Sequence, residues 1–179
     1  YIPYNNLEKV FDVVYAKNGK SPVKLAGYHA LNSLRMEKGY LHWGHDIGVE
    51  ENPFEAGVGF CVNLNKKNPF VGQAALEEKK KSGLSKRKVN FALSNNDLLI
   101  YHNEPIYFDG KIVGEISSGM YGFYLDKSLG MGYISNNDSY SIEEMVSHQK
   151  FEIEVAETKY SAEGSINCFY DPGREKILV

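Results

Sequence analysis

The sequence predicts an α+β chain in which a helical first half gives way to a small all-β barrel. Two observations carry this. Helical apolar spacing with glycine stops recurs before position 84, and after Lys88 short β-branched and aromatic runs alternate with close-set turn signals. The change of character between them places the boundary within Ser82 to Lys88.

Asn5 or Asn6 can cap a first helix whose apolar residues Leu7, Val10, Phe11, Val14 and Tyr15 keep helical spacing until Gly19. Pro22 then opens a short extended piece, Val23 to Leu25. A second helix is predicted from Tyr28 to Lys38, with Leu31, Leu34 and Met36 as its apolar contributors and Gly39 as its stop. Tyr40 to Asn52 has aromatics and two histidines without a clean period, so it reads as an irregular connection, the kind of segment that often carries function. A strand is expected over Val58 to Leu64, and a third helix over Gln73 to Lys81.

In the second half, Val89 to Leu93 is one strand. Asp109-Gly110 lies between Ile106-Tyr107-Phe108 and Lys111-Ile112-Val113, a strong hairpin signal because both turn positions need positive φ. Ile116, Tyr121 to Tyr124, Leu129 to Ile134, Phe151 to Val155 and Ser165 to Phe169 are further strand candidates, and Ser141 to Val146 a short helix. That spacing implies a barrel or sandwich over residues 88–179. Gly114, Ser117-Ser118-Gly119 and Gly130-Met131-Gly132 lack the following helix and lysine of a phosphate loop, and read as tight barrel turns.

Composition narrows the function. The chain has 179 residues, is 42% hydrophobic, and carries 20 basic and 23 acidic residues for a formal charge of -3, which gives no reason to expect a nucleic-acid partner. No stretch approaches the roughly 20 apolar residues that span a bilayer, and no charged-then-apolar leader opens the chain, so a soluble, non-exported protein without a membrane partner is expected. Cys61 and Cys168 are far apart and form no CxxC; they are expected to be buried and reduced. The chain begins at Tyr1, close to an amphipathic helix with no strand ahead of it, as a piece of a longer protein would.

From Gly27 the chain reads GYHALNSLRMEKGYLHWGHDI, then NPFEAGVGF, NPFVGQAAL and EPIYFDGKIVGEISSGMYGFYLDKSLGMGYI. These blocks, in this order, resemble the C-terminal half of the glycine-cleavage T-protein (aminomethyltransferase) superfamily. The run Glu37 to Gly44 is most similar to the dimethylglycine and sarcosine dehydrogenase branch. The resemblance implies residues 1–84 as the C-terminal part of a folate-binding α/β region and residues 85–179 as the β-barrel domain. It implies tetrahydrofolate as cofactor, with formaldehyde or an iminium from a small methylated amine captured as 5,10-methylenetetrahydrofolate. It further implies FAD in an upstream domain only, and a cytoplasmic location, or the mitochondrial matrix in a eukaryote. The superfamily's reactive acidic residue and pterin-holding glutamate belong upstream of Tyr1, so no catalytic residue is assigned and this portion is not expected to turn over by itself. An aminomethyltransferase or demethylase parent, and a structural module that binds no folate, remain the alternatives.

The resemblance nominates five folate-site residues. Arg35, in Ser33-Leu34-Arg35-Met36-Glu37, matches a folate-lining arginine whose planar donors suit a carboxylate; its bland alternative is an ion pair with Glu37 or Asp46. Tyr40 and Trp43 offer faces for the flat rings of a folate, against ordinary core packing. Glu55 matches a carboxylate near the central channel, or else pairs with Arg35 or caps a turn. Arg87 is able to meet a polyglutamate tail or to stay a solvated surface charge. His42, His45 and Asp46 have suggestive spacing but no convincing third ligand for zinc, so no metal is assigned. Asp171, in Phe169-Tyr170-Asp171, stands where several glycine-cleavage members carry arginine, which favours the dehydrogenase branch over a lipoyl-carrier partner.

Overall fold

The computed structural model describes residues 1–15, 23–176 and 178. Two units separate by their contacts, Tyr1–Leu31 and Asn32–Val179. In the first, a single 3-10 turn at Tyr4–Asn6 runs directly into helix α1, Leu7–Tyr15. Asn5 and Asn6 therefore sit inside that turn, with Pro3 rather than an asparagine at its N-cap. The ring of Phe11 stacks on that of Tyr15 at 5.4 Å, yet Leu7, Phe11 and Val14 are about half exposed. The expected stop at Gly19 and the start at Pro22 lie outside the described residues. Helix α2, Tyr28–Lys38, ends at Gly39 as expected. Its buried face is Ser33, Met36 and Glu37, whereas Leu31 and Leu34 point to solvent at 59% and 60% exposure.

The second unit is organised by a closed six-strand antiparallel barrel in the order β1-β4-β3-β2-β5-β6. Its strands are β1 (Lys86–Leu93), β2 (Pro105–Phe108), β3 (Lys111–Gly122), β4 (Lys127–Ser135), β5 (Phe151–Val155) and β6 (Thr158–Ser165). Closure comes from β1 pairing with both β4 and β6, so no strand edge is left open. Asp109 and Gly110 form the two-residue β2–β3 loop with φ of 50° and 78°, the geometry the hairpin signal required. Inside, Val89, Phe91, Ile106, Phe108, Ile134 and Phe151 are buried. Edge-to-face ring pairs Phe91–Phe151 and Phe108–Phe151 at 5.3 and 5.1 Å fill its middle.

Helix α4, Ile142–His148, plugs one mouth with Ile142 and Met145 and is started by a Ser141–Glu144 capping box. Helix α3, Gln73–Ser82, precedes the barrel. None of the helices among the described residues is long and apolar enough to cross a membrane.

Several sequence expectations are corrected. Val58 to Leu64 is not a strand but a 3-10 turn at Gly59–Cys61 within irregular chain; turn glycines override its β-branched character. The Tyr121 to Tyr124 strand stops at Gly122, because residues 123–126 make the β3–β4 turn. The last strand is Thr158–Ser165, and residues 166–169 leave the sheet. Gly114, Gly119, Gly130 and Gly132 lie within strands, not turns. A Cβ at Gly114 would overlap the Tyr133 carbonyl, and one at Gly119 that of Ile100, so backbone approach explains those two. Cys61 is exposed and Cys168 half-buried, both as free thiols.

Phe151 contacts two other core rings and is 1% exposed. Phe151→Ala is expected to cost about 3–5 kcal/mol, read as a shift in the urea unfolding midpoint.

Candidate functional site

Strands β1 and β4 are buried on both faces, inward by the barrel core and outward by a second cluster of Met36, Ala92, Leu129 and Met131. The outer cover consists of the end of α2 and the connection that follows it. Asp46, 0% exposed, pins that connection down. One carboxylate oxygen accepts from Arg35 Nη1 at 2.7 Å and from the His42 backbone N–H at 2.8 Å. The other accepts from Ser117 Oγ of β3 at 2.6 Å, and the Asp46 carbonyl accepts from the Tyr133 hydroxyl of β4 at 2.8 Å. Burial, together with the nearby Glu51, Asp46 and Glu55 carboxylates, pushes the Tyr133 phenol far above its ordinary value, which keeps it a donor.

The end of α2 is fastened separately. Ser33 Oγ donates to the Tyr121 carbonyl at 2.7 Å, and Glu37 Oε1 accepts from the Tyr124 and Leu125 backbone N–H groups at 2.7 and 3.1 Å. Lys38 Nζ pairs with Asp171 Oδ2 at 3.0 Å, so Asp171 holds the C-terminal tail against α2.

Between this cover and the barrel lies an open cavity of about 530 Å³, walled by Tyr40, Ile47, Val58 and Phe60 and by Lys88 of β1, with Lys38 and Arg174 also in its lining. A second cavity, about 590 Å³, lies on the other side of the connection and is lined by His45, Glu51, Lys86, His102, Glu115 and Tyr133.

The nominated residues do not all converge. Tyr40 and Trp43 lie on the connection after α2, and Arg35 near the end of α2 reaches it: Arg35 binds Asn32 Oδ1 at 2.6 Å and the Tyr40 carbonyl at 3.3 Å besides Asp46. Its ion-pair partner is Asp46, not Glu37. Tyr40 and Trp43 are 52% and 68% exposed, so neither packs as core. Glu55 is 5% exposed and caps its own turn, accepting from the Asn52 N–H at 3.2 Å, while its carbonyl accepts from the Lys88 N–H. Arg87 belongs elsewhere. Alternation along β1 turns it away from Lys88, and it pairs with Glu143 of α4 at 3.1 Å with its Nε buried and unpartnered. His42 and His45 meet edge-on at 5.0 Å, and the Asp46 carboxylate beside them is already engaged.

Two residues of the site were passed over in the sequence. Lys88 is 7% exposed and Asn90 2%, both on the outer face of β1, with Lys88 Nζ donating to Asn90 Oδ1 at 3.1 Å. Burial pushes the Lys88 ammonium down to about 8. The signal in the sequence is a period-2 polar pair, Lys88 and Asn90, at the start of the strand, with Lys88 directly after the basic residues Lys86 and Arg87.

A family model described as the glycine cleavage T-protein C-terminal barrel domain matches residues 86–171, and one described as the GCVT N-terminal domain matches residues 1–66. The chain is 35% identical, over 94% of its length, to 4-methylaminobutanoate oxidase (formaldehyde-forming) of Paenarthrobacter nicotinovorans, and 30% identical, over 99%, to mitochondrial sarcosine dehydrogenase of Homo sapiens. It spans only 20% and 19% of those relatives. Its fold is that of the glycine cleavage system aminomethyltransferase T from Bartonella henselae, with a TM-score of 0.75 and 22% identity over 92% of this chain and 43% of that one.

Asp46→Ala leaves Arg35 and Ser117 without their buried acceptor, and a loss of about 3–5 kcal/mol is expected in chemical denaturation. Lys88 gives a pH-dependent counterpart. Its folded value lies below the unfolded one near ~10.4, so the unfolded chain holds more protons between the two, and stability rises with pH across that window. Lys88→Met is therefore expected to stabilise below pH ~8, by at most about 3 kcal/mol, and to lose that advantage by pH ~10.4; thermal melts across the range check it.

Proposed function

The chain belongs to the glycine-cleavage T-protein superfamily, and from that premise we propose that it is the tetrahydrofolate-binding C-terminal portion of a one-carbon enzyme. The parent, on this reading, is an FAD-dependent dehydrogenase of the dimethylglycine and sarcosine type. It oxidises a small methylated amine, and formaldehyde or its iminium equivalent is collected on the folate. The formaldehyde-forming oxidase and the sarcosine dehydrogenase among its relatives support the parent's chemistry. Residues 1–84 would complete the folate-binding region and 85–179 supply the barrel that closes one side of it. The mitochondrial sarcosine dehydrogenase among the relatives supports the matrix if the source is eukaryotic; the cytoplasm is the proposed location otherwise.

One observation carries the folate assignment. The loop braced by Asp46 holds two aromatic rings, Tyr40 and Trp43, that are more than half exposed, and the Arg35 guanidinium touches the Tyr40 carbonyl. Flat apolar faces next to a fixed cation suit a ligand with fused rings and a carboxylate tail. Arg35 Nη2 has no partner among the described residues and is the atom that would meet the carboxylate. Trp43 would stack on or wall the cleft, Tyr40 would line it, and Glu55 would supply nearby negative charge. Arg87, on the far face of β1, would reach at most an extended polyglutamate tail. When bound, the folate supplies the nitrogen nucleophiles; the chain's own residues orient it and exclude water, which is catalysis by proximity.

Titration calorimetry with tetrahydrofolate on the full-length parent tests the assignment. Trp43→Ala, which removes an exposed ring, is expected to weaken binding about tenfold without lowering the melting temperature. Arg35→Ala is expected to weaken it about tenfold to a hundredfold. Normal affinity in both variants would sink the site assignment.

A further inference from the structure

We propose that Lys88, which lines the 530 Å³ cavity, is a carbonyl-reactive amine whose Nζ forms a reversible iminium with a small aldehyde. The inference rests on the proposed role of the parent only for the source of that aldehyde, formaldehyde.

The geometry isolates this amine from the partners that quench most lysines. Asn90 Nδ2 is directed at the carbonyls of Ser165, Ile166 and Asn167, at 3.3, 3.4 and 2.9 Å, which fixes the amide so that Oδ1 faces Lys88. That oxygen, at 3.1 Å, is a neutral acceptor. Among the described residues no carboxylate lies within ion-pair distance of Lys88 Nζ, whereas the neighbouring Lys38 and Lys86 each hold one, Asp171 and Glu51, at 3.0 Å. A lysine ammonium has three N–H donors, so Lys88 retains donor capacity beyond its bond to Asn90. A buried ammonium without a counter-ion favours the neutral, nucleophilic amine.

The surrounding charges act in both directions. Burial is the largest influence and drives the amine toward neutrality, helped by Arg87 on the same strand; Asp46 of the connection and Cys168 of the tail oppose it. Asp46 is itself paired with Arg35. Lys38 of α2 and Arg174 of the tail line the same cavity and add positive charge, Tyr40 lines it as a neutral phenol, and Glu55 packs its carbonyl on the Lys88 N–H.

The step needs no oxidant. The Nζ lone pair attacks the aldehyde carbon, the carbonyl π pair moves to oxygen, and a proton passes from nitrogen to that oxygen to give a carbinolamine. A second proton on the hydroxyl lets it leave as water, and the nitrogen lone pair forms the C=N⁺ bond. Water returning to the carbon reverses the sequence. Of the residues proposed for the folate, Tyr40 lines the same cavity as Lys88, whereas Arg35 and Trp43 do not.

The test is limiting ¹³C-formaldehyde with cyanoborohydride on the full-length parent at pH ~7.5, with hydride reduction of the iminium read by tandem mass spectrometry at each lysine. Lys88 is expected to be methylated at least about tenfold faster than the exposed Lys79 and Lys80, because far more of it is neutral than of a lysine with the ordinary value near ~10.4. Its rate should rise with pH and level off above about 8, while the exposed lysines keep rising. Labelling of Lys88 no faster than Lys79 overturns the inference. Tetrahydrofolate affinity on the same preparation separates the two proposals. Normal folate binding with an inert Lys88 removes this one alone, and a fast Lys88 with no folate binding removes the folate reading alone.

Discussion

The carboxylate of Asp46 is the contact on which the arrangement around the barrel depends. Fully buried, it would be costly if unpaired, and it is satisfied from three directions at once: Arg35 of α2, the backbone of its own loop, and Ser117 of β3. Each donor comes from a different part of the chain. The loop between α2 and the barrel therefore has one low-energy position, and Tyr40, Trp43 and the cavity wall take theirs from it.

The same demand explains why the barrel is buried on both faces along β1 and β4. An antiparallel barrel ordinarily shows alternating burial, because its outer face meets water. Here β1 is buried continuously from Lys88 to Leu93, since Met36 and the Asp46 loop cover its outer face. Polar residues that alternation would have placed in solvent, Lys88 and Asn90, are thereby enclosed. Their pairing with each other and with the carbonyls of Ser165, Ile166 and Asn167 is the local solution to that enclosure. A lysine that looks like part of a basic run becomes the one with the most altered chemistry.

Arg35 has a structural role that fits the ligand-binding role proposed for it. Its Nε and Nη1 are committed to Asn32, Tyr40 and Asp46, which removes the rotational freedom that a ligand would otherwise have to freeze. A guanidinium fixed in this way is a better recognition element than a mobile one. Arg87 has the opposite history: the pleat sends it to the α4 side of the barrel, with Glu143, and away from the loop that holds Tyr40 and Trp43.

The sequence by itself determined the elements whose causes are local. Helix α2 and its end at Gly39, the Asp109-Gly110 hairpin, the short helix after Ser141 and the helical-then-β division follow from periodicity and turn chemistry within a few residues of each other. Ordered sequence blocks also determined the superfamily. Tertiary structure alone decided what depends on distant partners. It made Leu31 and Leu34 exposed while Ser33 and Glu37 are buried, because the face that meets the barrel is chosen by hydrogen bonds to Tyr121, Tyr124 and Leu125. It turned Asp46 from a possible metal ligand into a brace, and it enclosed Lys88. Burial and counter-ion supply are properties of the assembled space, and no short-range pattern encodes them.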